Sequence, residues 1–162
     1  MATTVAVVAD THARGAPALS TVCMSVLAGS DLIVHAGDIA TEQTLAWFEG
    51  LGPPVHAVRG NVDTPPLCRR LPETLELTIE AATLAVVHDA GPAQDRLERL
   101  RLRFPNADAV VFGHSHMPLH EALDGFQIFN PGSPTQRRRA PSRSIGVARV
   151  DGTRIRFEHL RL

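Results

Sequence analysis

The sequence predicts a mixed α/β sandwich, and three observations support this fold class. Strand and helix patterns alternate over the first half of the chain, which is typical of parallel strands joined by helices. Two Asp-Gly dipeptides, each flanked by apolar runs, predict antiparallel hairpins in the second half. The 162 residues are 44% hydrophobic, so the chain has enough apolar side chains for one sizeable core. We therefore expect a single domain over residues 1–162.

The first half contains three predicted strands separated by two predicted helices. The strands are short apolar runs rich in β-branched residues, at positions 5–9, 32–36 and 55–58. The helices occupy positions 16–27 and 41–50. Thr41 can cap the second helix and Gly50 can end it. This order predicts consecutive βαβ units.

The second half is predicted to be richer in strands. The predicted strands lie at positions 75–80, 83–87, 109–112, 119–123, 126–129, 144–150 and 153–159. The last four form two hairpins around Asp124-Gly125 and Asp151-Gly152. One helix is predicted at 94–104, since Leu97, Leu100 and Phe104 fall on one face.

Composition excludes several classes of protein. A formal net charge of -1 is not typical of a protein that binds long nucleic acid. The N-terminus lacks a basic and apolar targeting segment, and no apolar run is long enough for a membrane span, so we expect a cytoplasmic protein. Only two cysteines occur, Cys23 and Cys68, which excludes a thiolate zinc cluster.

Side chains that bind metals follow the predicted strands. They are Asp10, His12, Asp38, Asn61, His88, His114 and His116. Functional groups of open α/β sheets collect beyond the carboxyl ends of the strands, so we expect these side chains to meet. Carboxylate, amide oxygen and imidazole suit Mn, Fe, Zn or Ni. Their order along the chain is what a two-metal hydrolase needs.

These residues stand in motifs that resemble those of the calcineurin-like metallophosphoesterase superfamily. The motifs are Asp10-Thr11-His12, Gly37-Asp38, Gly60-Asn61-Val62-Asp63, Val87-His88, Gly113-His114-Ser115-His116 and Asn130-Pro131-Gly132-Ser133. The chain is most similar to the small prokaryotic phosphodiesterase branch. The resemblance implies a four-layer α/β/β/α sandwich of two mixed sheets flanked by helices.

The resemblance also implies a role for each ligand. Asp10, His12 and His116 would hold one divalent ion, and Asn61, His88 and His114 the other. Asp38 would bridge the pair. Manganese is favoured, with nickel, iron, zinc and magnesium as alternatives. The implied reaction is hydrolysis of a small phosphodiester or nucleotide-type substrate by in-line attack of a hydroxide that bridges the metals, with Asp38, Asn61 and His114 as catalytic residues.

Two positions depart from the superfamily pattern. Val62 stands where many members carry a histidine that protonates the leaving group. His88 is followed by Asp89-Ala90, where relatives often have a His-Gly-His run. Asp63 is expected to order the loop after Asn61. These differences predict that the wall of the substrate pocket differs from that of the relatives. The substrates of the relatives therefore do not identify the substrate of this chain.

Other polar residues leave alternatives open. Arg14 and Arg138, the latter within Arg137-Arg138-Arg139, are candidate substrate contacts or solvated surface charges. His35 could orient a ligand or fill the core. A non-catalytic metal-binding scaffold for protein interactions is the alternative function, because some relatives with this fold have that role. Homo-oligomerisation is left open.

Overall fold

The computed structural model describes residues 2–162. These residues form ten strands and four helices. The elements in chain order are β1 Thr3–Val8, α1 Thr21–Gly29, β2 Leu32–His35, α2 Glu42–Glu49, β3 Val55–Ala57, α3 Pro65–Arg70, β4 Thr74–Ile79, β5 Ala82–Val87, α4 Arg96–Arg103, β6 Ala109–Val111, β7 Leu119–Leu123, β8 Phe126–Asn130, β9 Ser144–Asp151 and β10 Arg154–Arg161.

The strands form two five-stranded mixed sheets. The first has the order β10-β9-β1-β2-β3, and the second has the order β4-β5-β6-β8-β7. Parallel pairing joins β1, β2 and β3 in one sheet and β5, β6 and β8 in the other. Both predicted hairpins form, as the antiparallel pairs β7–β8 and β9–β10. The mixed α/β fold predicted from the sequence is therefore confirmed.

Apolar side chains divide the molecule into four layers. Val7, Val86 and Phe129 belong to the core between the two sheets. Leu27 and Phe48 attach α1 and α2 to the outer face of the first sheet. On the outer face of the second sheet, α4 packs through Leu100, which is almost fully buried. Each such side chain contributes roughly 1.5–3 kcal/mol through burial, so the layers are held mainly by apolar packing.

Two helices differ from their sequence predictions. The first begins at Thr21 rather than at position 16, and the Ser20 hydroxyl caps it by accepting from Cys23 N at 3.2 Å. Gly15, which precedes the predicted start of the helix, contacts α2, because its N donates to Thr44 Oγ1 at 2.9 Å. The helix α3 was not predicted, because it has only six residues and begins with two prolines. Proline suits the first turn of a helix, where its missing N–H is not needed.

The helix α2 has the predicted bounds and the predicted caps. The Thr41 hydroxyl accepts a hydrogen bond from Thr44 N at 3.3 Å, and Gly50 follows the last helical residue. Elsewhere, none of the helices in residues 2–162 is long and apolar enough to cross a membrane.

The topology brings the ends of several strands to one side of the sandwich. The strands β1, β2 and β3 run parallel, and so do β5 and β6 in the facing sheet. Asp10, Asp38, Asn61, His88 and His114 each follow one of these strands within four residues. Carboxyl ends of parallel strands are where loops can point side chains together, so the topology assembles the motifs.

Candidate metal centre

The seven predicted ligands converge around the carboxylate of Asp38. Its Oδ2 lies 3.3 Å from His12 Nε2 and 3.3 Å from His88 Nε2. The second oxygen, Oδ1, accepts a hydrogen bond from Val62 N at 3.0 Å, which holds the carboxylate in place. Asp38 therefore lies between two groups of ligand atoms.

The first group contains Asp10, His12 and His116. The two Nε2 atoms of His12 and His116 are 3.2 Å apart, and Asp10 Oδ1 lies 3.9 and 3.7 Å from them respectively. Asp10 and His116 are fully buried, whereas His12 is partly exposed. Asp10 and His12 lie in the loop after β1, whereas His116 follows β6 of the other sheet and is 104 residues from His12 in the sequence.

The second group contains Asn61, His88 and His114. Asn61 Oδ1 is 3.0 Å from both His88 Nε2 and His114 Nδ1, and these two nitrogens are 3.3 Å apart. His88 is buried, but Asn61 and His114 are exposed. This half of the site therefore faces solvent.

Hydrogen bonds to backbone carbonyls determine which nitrogen of two histidines faces the site. His88 Nδ1 donates to Ala36 O at 2.8 Å, and His116 Nδ1 donates to Gln136 O at 2.6 Å. A carbonyl can only accept, so each Nδ1 carries the proton of the neutral ring. The lone pair of each Nε2 therefore faces the other ligands, as a metal site requires.

The donor set fits divalent cations. Within residues 2–162, the buried Asp10 Oδ2 has no hydrogen-bond partner, although an unpaired buried carboxylate oxygen is costly. Burial is the main cause that raises the pKa of Asp10 to about 7. A cation beside Asp10 would remove both penalties, because it pairs with the carboxylate and favours its ionised form.

Five of the seven predicted ligands have a left-handed backbone conformation. Their φ values are 57° for Asp10, 46° for His12, 57° for Asp38, 69° for His114 and 59° for His116. Non-glycine residues adopt this region at a cost of roughly 1–2 kcal/mol each. Such strain persists only where the surrounding structure enforces it, and it clusters at functional sites.

Glycines of the motifs make room for ligands of other motifs. A Cβ on Gly37 would lie 2.7 Å from His88 Nδ1, and one on Gly113 would lie 2.9 Å from Asp10 Oδ2. A Cβ on Gly60 would overlap Asp38. Gly60 and Gly113 do not have the left-handed φ that favours glycine, so space rather than conformation requires them.

The Asn130-Pro131-Gly132-Ser133 loop attaches two ligand motifs to the second sheet. The Ser133 hydroxyl donates to Asp10 O at 2.8 Å, and Asn130 Nδ2 donates to Gly113 O at 2.9 Å. Asn130 Oδ1 in turn accepts from Gly132 N at 2.9 Å. These contacts hold the loops that carry Asp10 and His114.

Asp63 and His35 support the loops that carry Asn61 and Asp38. The Asp63 carboxylate accepts from Gly60 N and Ala40 N, both at 2.7 Å, as expected for a residue that orders its loop. His35 is fully buried, and its Nδ1 accepts from Gly37 N at 3.2 Å. Its Nε2 then carries the proton and donates to the Thr11 hydroxyl at 3.1 Å. His35 thus joins the motifs of Asp10 and Asp38 without facing the ligand atoms.

The two predicted substrate contacts are exposed and lie near the first group. Arg14 and His12 line one pocket of about 480 Å³. The Arg138 charge opposes the effect of burial on the pKa of Asp10, which places this guanidinium within electrostatic reach of the site. Arg137 instead donates to Ala140 O at 2.9 Å within its own loop.

Comparison with known proteins agrees with this geometry. The model of the calcineurin-like phosphoesterase superfamily domain matches residues 4–153. A probable metallophosphoesterase of Methanothermobacter thermautotrophicus is 30% identical over 97% of this chain and 91% of its own length. Vacuolar protein sorting 29 from Cryptosporidium parvum has the same fold, with a TM-score of 0.80, 17% identity and 99% coverage of both chains.

A further structural neighbour is described as a novel archaeal phosphodiesterase. It superposes with a TM-score of 0.74 at 16% identity, and the match covers 97% of this chain and 99% of the neighbour. Identities this low establish the fold alone. The family model matches residues 4–153 and the 30% identical relative aligns with 97% of the chain, so the chain belongs to the calcineurin-like phosphoesterase superfamily.

Proposed function

We propose that this protein is a two-metal-dependent phosphoesterase, and specifically a phosphodiesterase for a small phosphodiester or nucleotide-type substrate. One observation carries the proposal: Asp38 Oδ2 lies 3.3 Å from a ligand nitrogen of each group. A single carboxylate in that position is suited to bridge two ions. We assign the activity to one domain formed by the 162 residues.

Each group of ligands would hold one ion. We assign Asp10, His12 and His116 to the first, Asn61, His88 and His114 to the second, and Asp38 to both. Two bound divalent ions would neutralise phosphate oxygens and lower the pKa of a bound water, which makes it a nucleophile at neutral pH. The imidazole ligands suit nickel, iron and zinc, and the carboxylate and amide oxygens also suit manganese.

The residues of the chain orient this chemistry. Val62 N holds the Asp38 carboxylate by a 3.0 Å hydrogen bond, and Ala36 O holds the His88 ring at 2.8 Å. The neutral amide oxygen of Asn61 provides a ligand that adds no negative charge beside a phosphate. Asn61 and His114 are the exposed ligands, so we place the substrate phosphate against them.

Two arginines would bind the rest of the substrate. Arg14 lines the pocket next to His12, and the charge of Arg138 reaches Asp10. Guanidinium groups bind phosphate oxygens well because they donate several hydrogen bonds in a planar arrangement. We therefore assign both to substrate binding.

Metal-dependent hydrolysis tests the proposal. Metal-stripped protein would receive Mn, Ni, Mg or Zn, with an aryl phosphodiester and the matching monoester as substrates. We expect diester hydrolysis with manganese and a fall of at least about 10²–10³-fold in Asp38→Ala, as is typical when a group that stabilises the transition state is removed. Glu121→Ala removes an exposed carboxylate on β7 and serves as the matched control.

The alternative function predicts a different result. A non-catalytic scaffold would bind metal but would not turn over either ester with any of the four metals. Such a result in folded, metal-loaded protein would reject the enzyme and favour the scaffold.

A further inference from the structure

A pocket beside His12 is lined by four loops, three of which are tied together by backbone contacts. It has a volume of about 480 Å³. Its lining consists of His12, Arg14, Ala40, Thr41, Val62, Thr64 and Gln136. A bridge between Ala13 and Ala40 joins two of the loops, and Thr64 N donates to Ala40 O at 3.0 Å to join the third. The pocket is therefore a fixed part of the fold next to the candidate metal centre.

The polar side chains of this pocket are available for a ligand. Within residues 2–162, the side chains of Arg14, Thr64 and Gln136 make no hydrogen bond or ion pair. The guanidinium group of arginine is a cation with five N–H donors. One free cation with a hydroxyl and an amide beside it is suited to an anionic oxygen-rich group.

The same lining offers no group that could protonate a leaving alcohol. His12 Nε2 faces Asp38 and His116, inside the ligand cluster. Val62 is 41% exposed and places an apolar side chain at the mouth of the pocket. Arginine, threonine and glutamine do not release protons at neutral pH. A leaving group that departs through this pocket receives no proton from its lining, so a group that is stable as an anion is favoured.

The pocket beside the second group of predicted ligands has a different charge pattern. It measures about 200 Å³ and lies beside Asn61 and His88. Both of its arginines, Arg59 and Arg103, pair with Glu73, at 3.2 and 3.8 Å. Asp89 adds a further carboxylate to this lining. An anionic leaving group is therefore better accommodated on the His12 side.

From the linings of these two pockets, we propose that the substrate is a phosphoanhydride. Arg14 binds the phosphate that acts as its leaving group. This inference rests on the proposed phosphoesterase function and narrows its substrate class. The attacking water oxygen forms a bond to one phosphorus while the bond from that phosphorus to the bridging oxygen breaks. The bonding electron pair stays on the departing phosphate, and the proton of the water passes to solvent. No acid is needed, and no redox partner is involved.

Leaving-group basicity explains the choice. A phosphate monoester has a second pKa of about 6, so it is stable as a dianion at neutral pH. An alkoxide is far more basic, because the pKa of its parent alcohol is close to that of bulk water, about 15.7. Without a proton donor, an alkyl diester is therefore a poor substrate, whereas an anhydride or an aryl ester is a good one.

Rate ratios of variants test the inference, since anhydrides are intrinsically more reactive than esters. The substrates are P1,P2-diadenosine diphosphate, a dinucleoside 3′,5′-monophosphate and bis(p-nitrophenyl) phosphate. We expect the ratio of anhydride to aryl diester kcat/KM to fall at least about tenfold in Arg14→Gln, as for loss of a charged hydrogen bond. Arg154→Gln, an exposed arginine on β10, is the matched control and should keep the wild-type ratio.

A second variant adds the missing acid. Val62→His should raise kcat/KM for the dinucleoside monophosphate at least about tenfold, within the usual range for general acid catalysis, without a similar gain for the anhydride. Equal gains for the two substrates would contradict the idea that a missing acid limits the wild-type protein.

Binding provides a readout independent of turnover. The non-hydrolysable methylene analogue of the diphosphate would be titrated calorimetrically into manganese-loaded protein. We expect a Kd at least about tenfold higher in Arg14→Gln than in the wild type or Arg154→Gln. An unchanged Kd would overturn the assignment of the pocket.

The outcomes separate the two proposals. No hydrolysis of the aryl diester with any metal would reject the phosphoesterase function itself. Hydrolysis of the aryl diester together with an unchanged anhydride-to-aryl-diester ratio in Arg14→Gln would reject only the phosphoanhydride inference.

Discussion

The two halves of the candidate metal centre differ in burial and in support. Asp10 and His116 are fully buried, whereas Asn61 and His114 are exposed. The first half is held from several directions, because Ser133 binds the backbone of Asp10 and Gln136 O binds the His116 ring. In the second half, His88 alone is buried and bonded to a backbone carbonyl.

This difference predicts different roles for the two halves in metal binding and in substrate binding. Ligands that are fixed before binding lose little conformational freedom, so preorganisation raises affinity. We therefore expect the first half to bind its ion tightly and the second half to exchange its ion and meet the substrate. Open coordination positions and solvent access are what a catalytic ion needs.

Removal of one histidine from each half has the largest expected effect on metal binding and activity. His116→Ala should abolish the tighter of two manganese-binding events, and His114→Ala should abolish only the weaker one. Both variants should lose at least about 10²-fold in activity, because each loses an ion that stabilises charge on the phosphate. Calorimetric titration of the metal-free proteins measures the two events. If His114→Ala lost the tight event instead, the comparison would be reversed.

Gly60→Ala should have the next largest effect. Its Cβ would overlap Asp38, the carboxylate that both halves share, so the loop must move. We expect about 1–3 kcal/mol of destabilisation from overpacking and weaker metal binding in both halves. Gly29→Ala is the control, because a Cβ there meets no atom within 4 Å. Urea unfolding and metal titration would show the difference, and equal behaviour of the two variants would contradict the steric role of Gly60.

Ser133→Ala should affect the first half selectively. The hydroxyl donates to Asp10 O at 2.8 Å and accepts from Gln136 N at 2.9 Å, so its removal eliminates two hydrogen bonds. This typically costs about 1–3 kcal/mol. We expect weaker binding at the tight site and little change at the other, with Ser142→Ala as the control. A selective loss at the weak site would argue against the proposed support.

The smallest expected effect is the contribution of His35 to the pH dependence of folding stability. Burial is the main cause that lowers the pKa of His35 to about 3, compared with about 6.5 in an unfolded chain. Below pH 6.5 the unfolded state binds a proton that the folded state excludes, so stability falls as pH decreases from about 6.5 towards 3. One such proton lowers the unfolding free energy by up to about 1.4 kcal/mol per pH unit.

His35→Gln should therefore reduce the loss of stability between pH 7 and pH 5. Urea unfolding of metal-free protein at both values measures the loss, and His120→Gln on β7 is the matched control. The same pH dependence in His35→Gln and in the wild type would show that this ring does not contribute to acid sensitivity.

Local patterns predicted much of the fold. Apolar runs located the strands, and the Asp-Gly pairs located both hairpins, because these signals depend on residues close in sequence. The Thr41 cap marked the start of α2 for the same reason. The predicted start of α1 was wrong because Ser20, in an extended backbone conformation, caps the helix, whereas the apolar residues before it had been counted as helical.

The sequence by itself determined the mixed α/β fold, the positions of the strands and the set of metal-binding residue types, since periodicity and motif order carry this information. Only the tertiary structure decided which side chains meet. It showed that Gln136 O orients His116, that Gly60 makes space for Asp38 and that Arg14 faces a pocket without an acid. These features depend on backbone atoms, on volume and on contacts between two sheets, and none of them leaves a pattern in neighbouring residues.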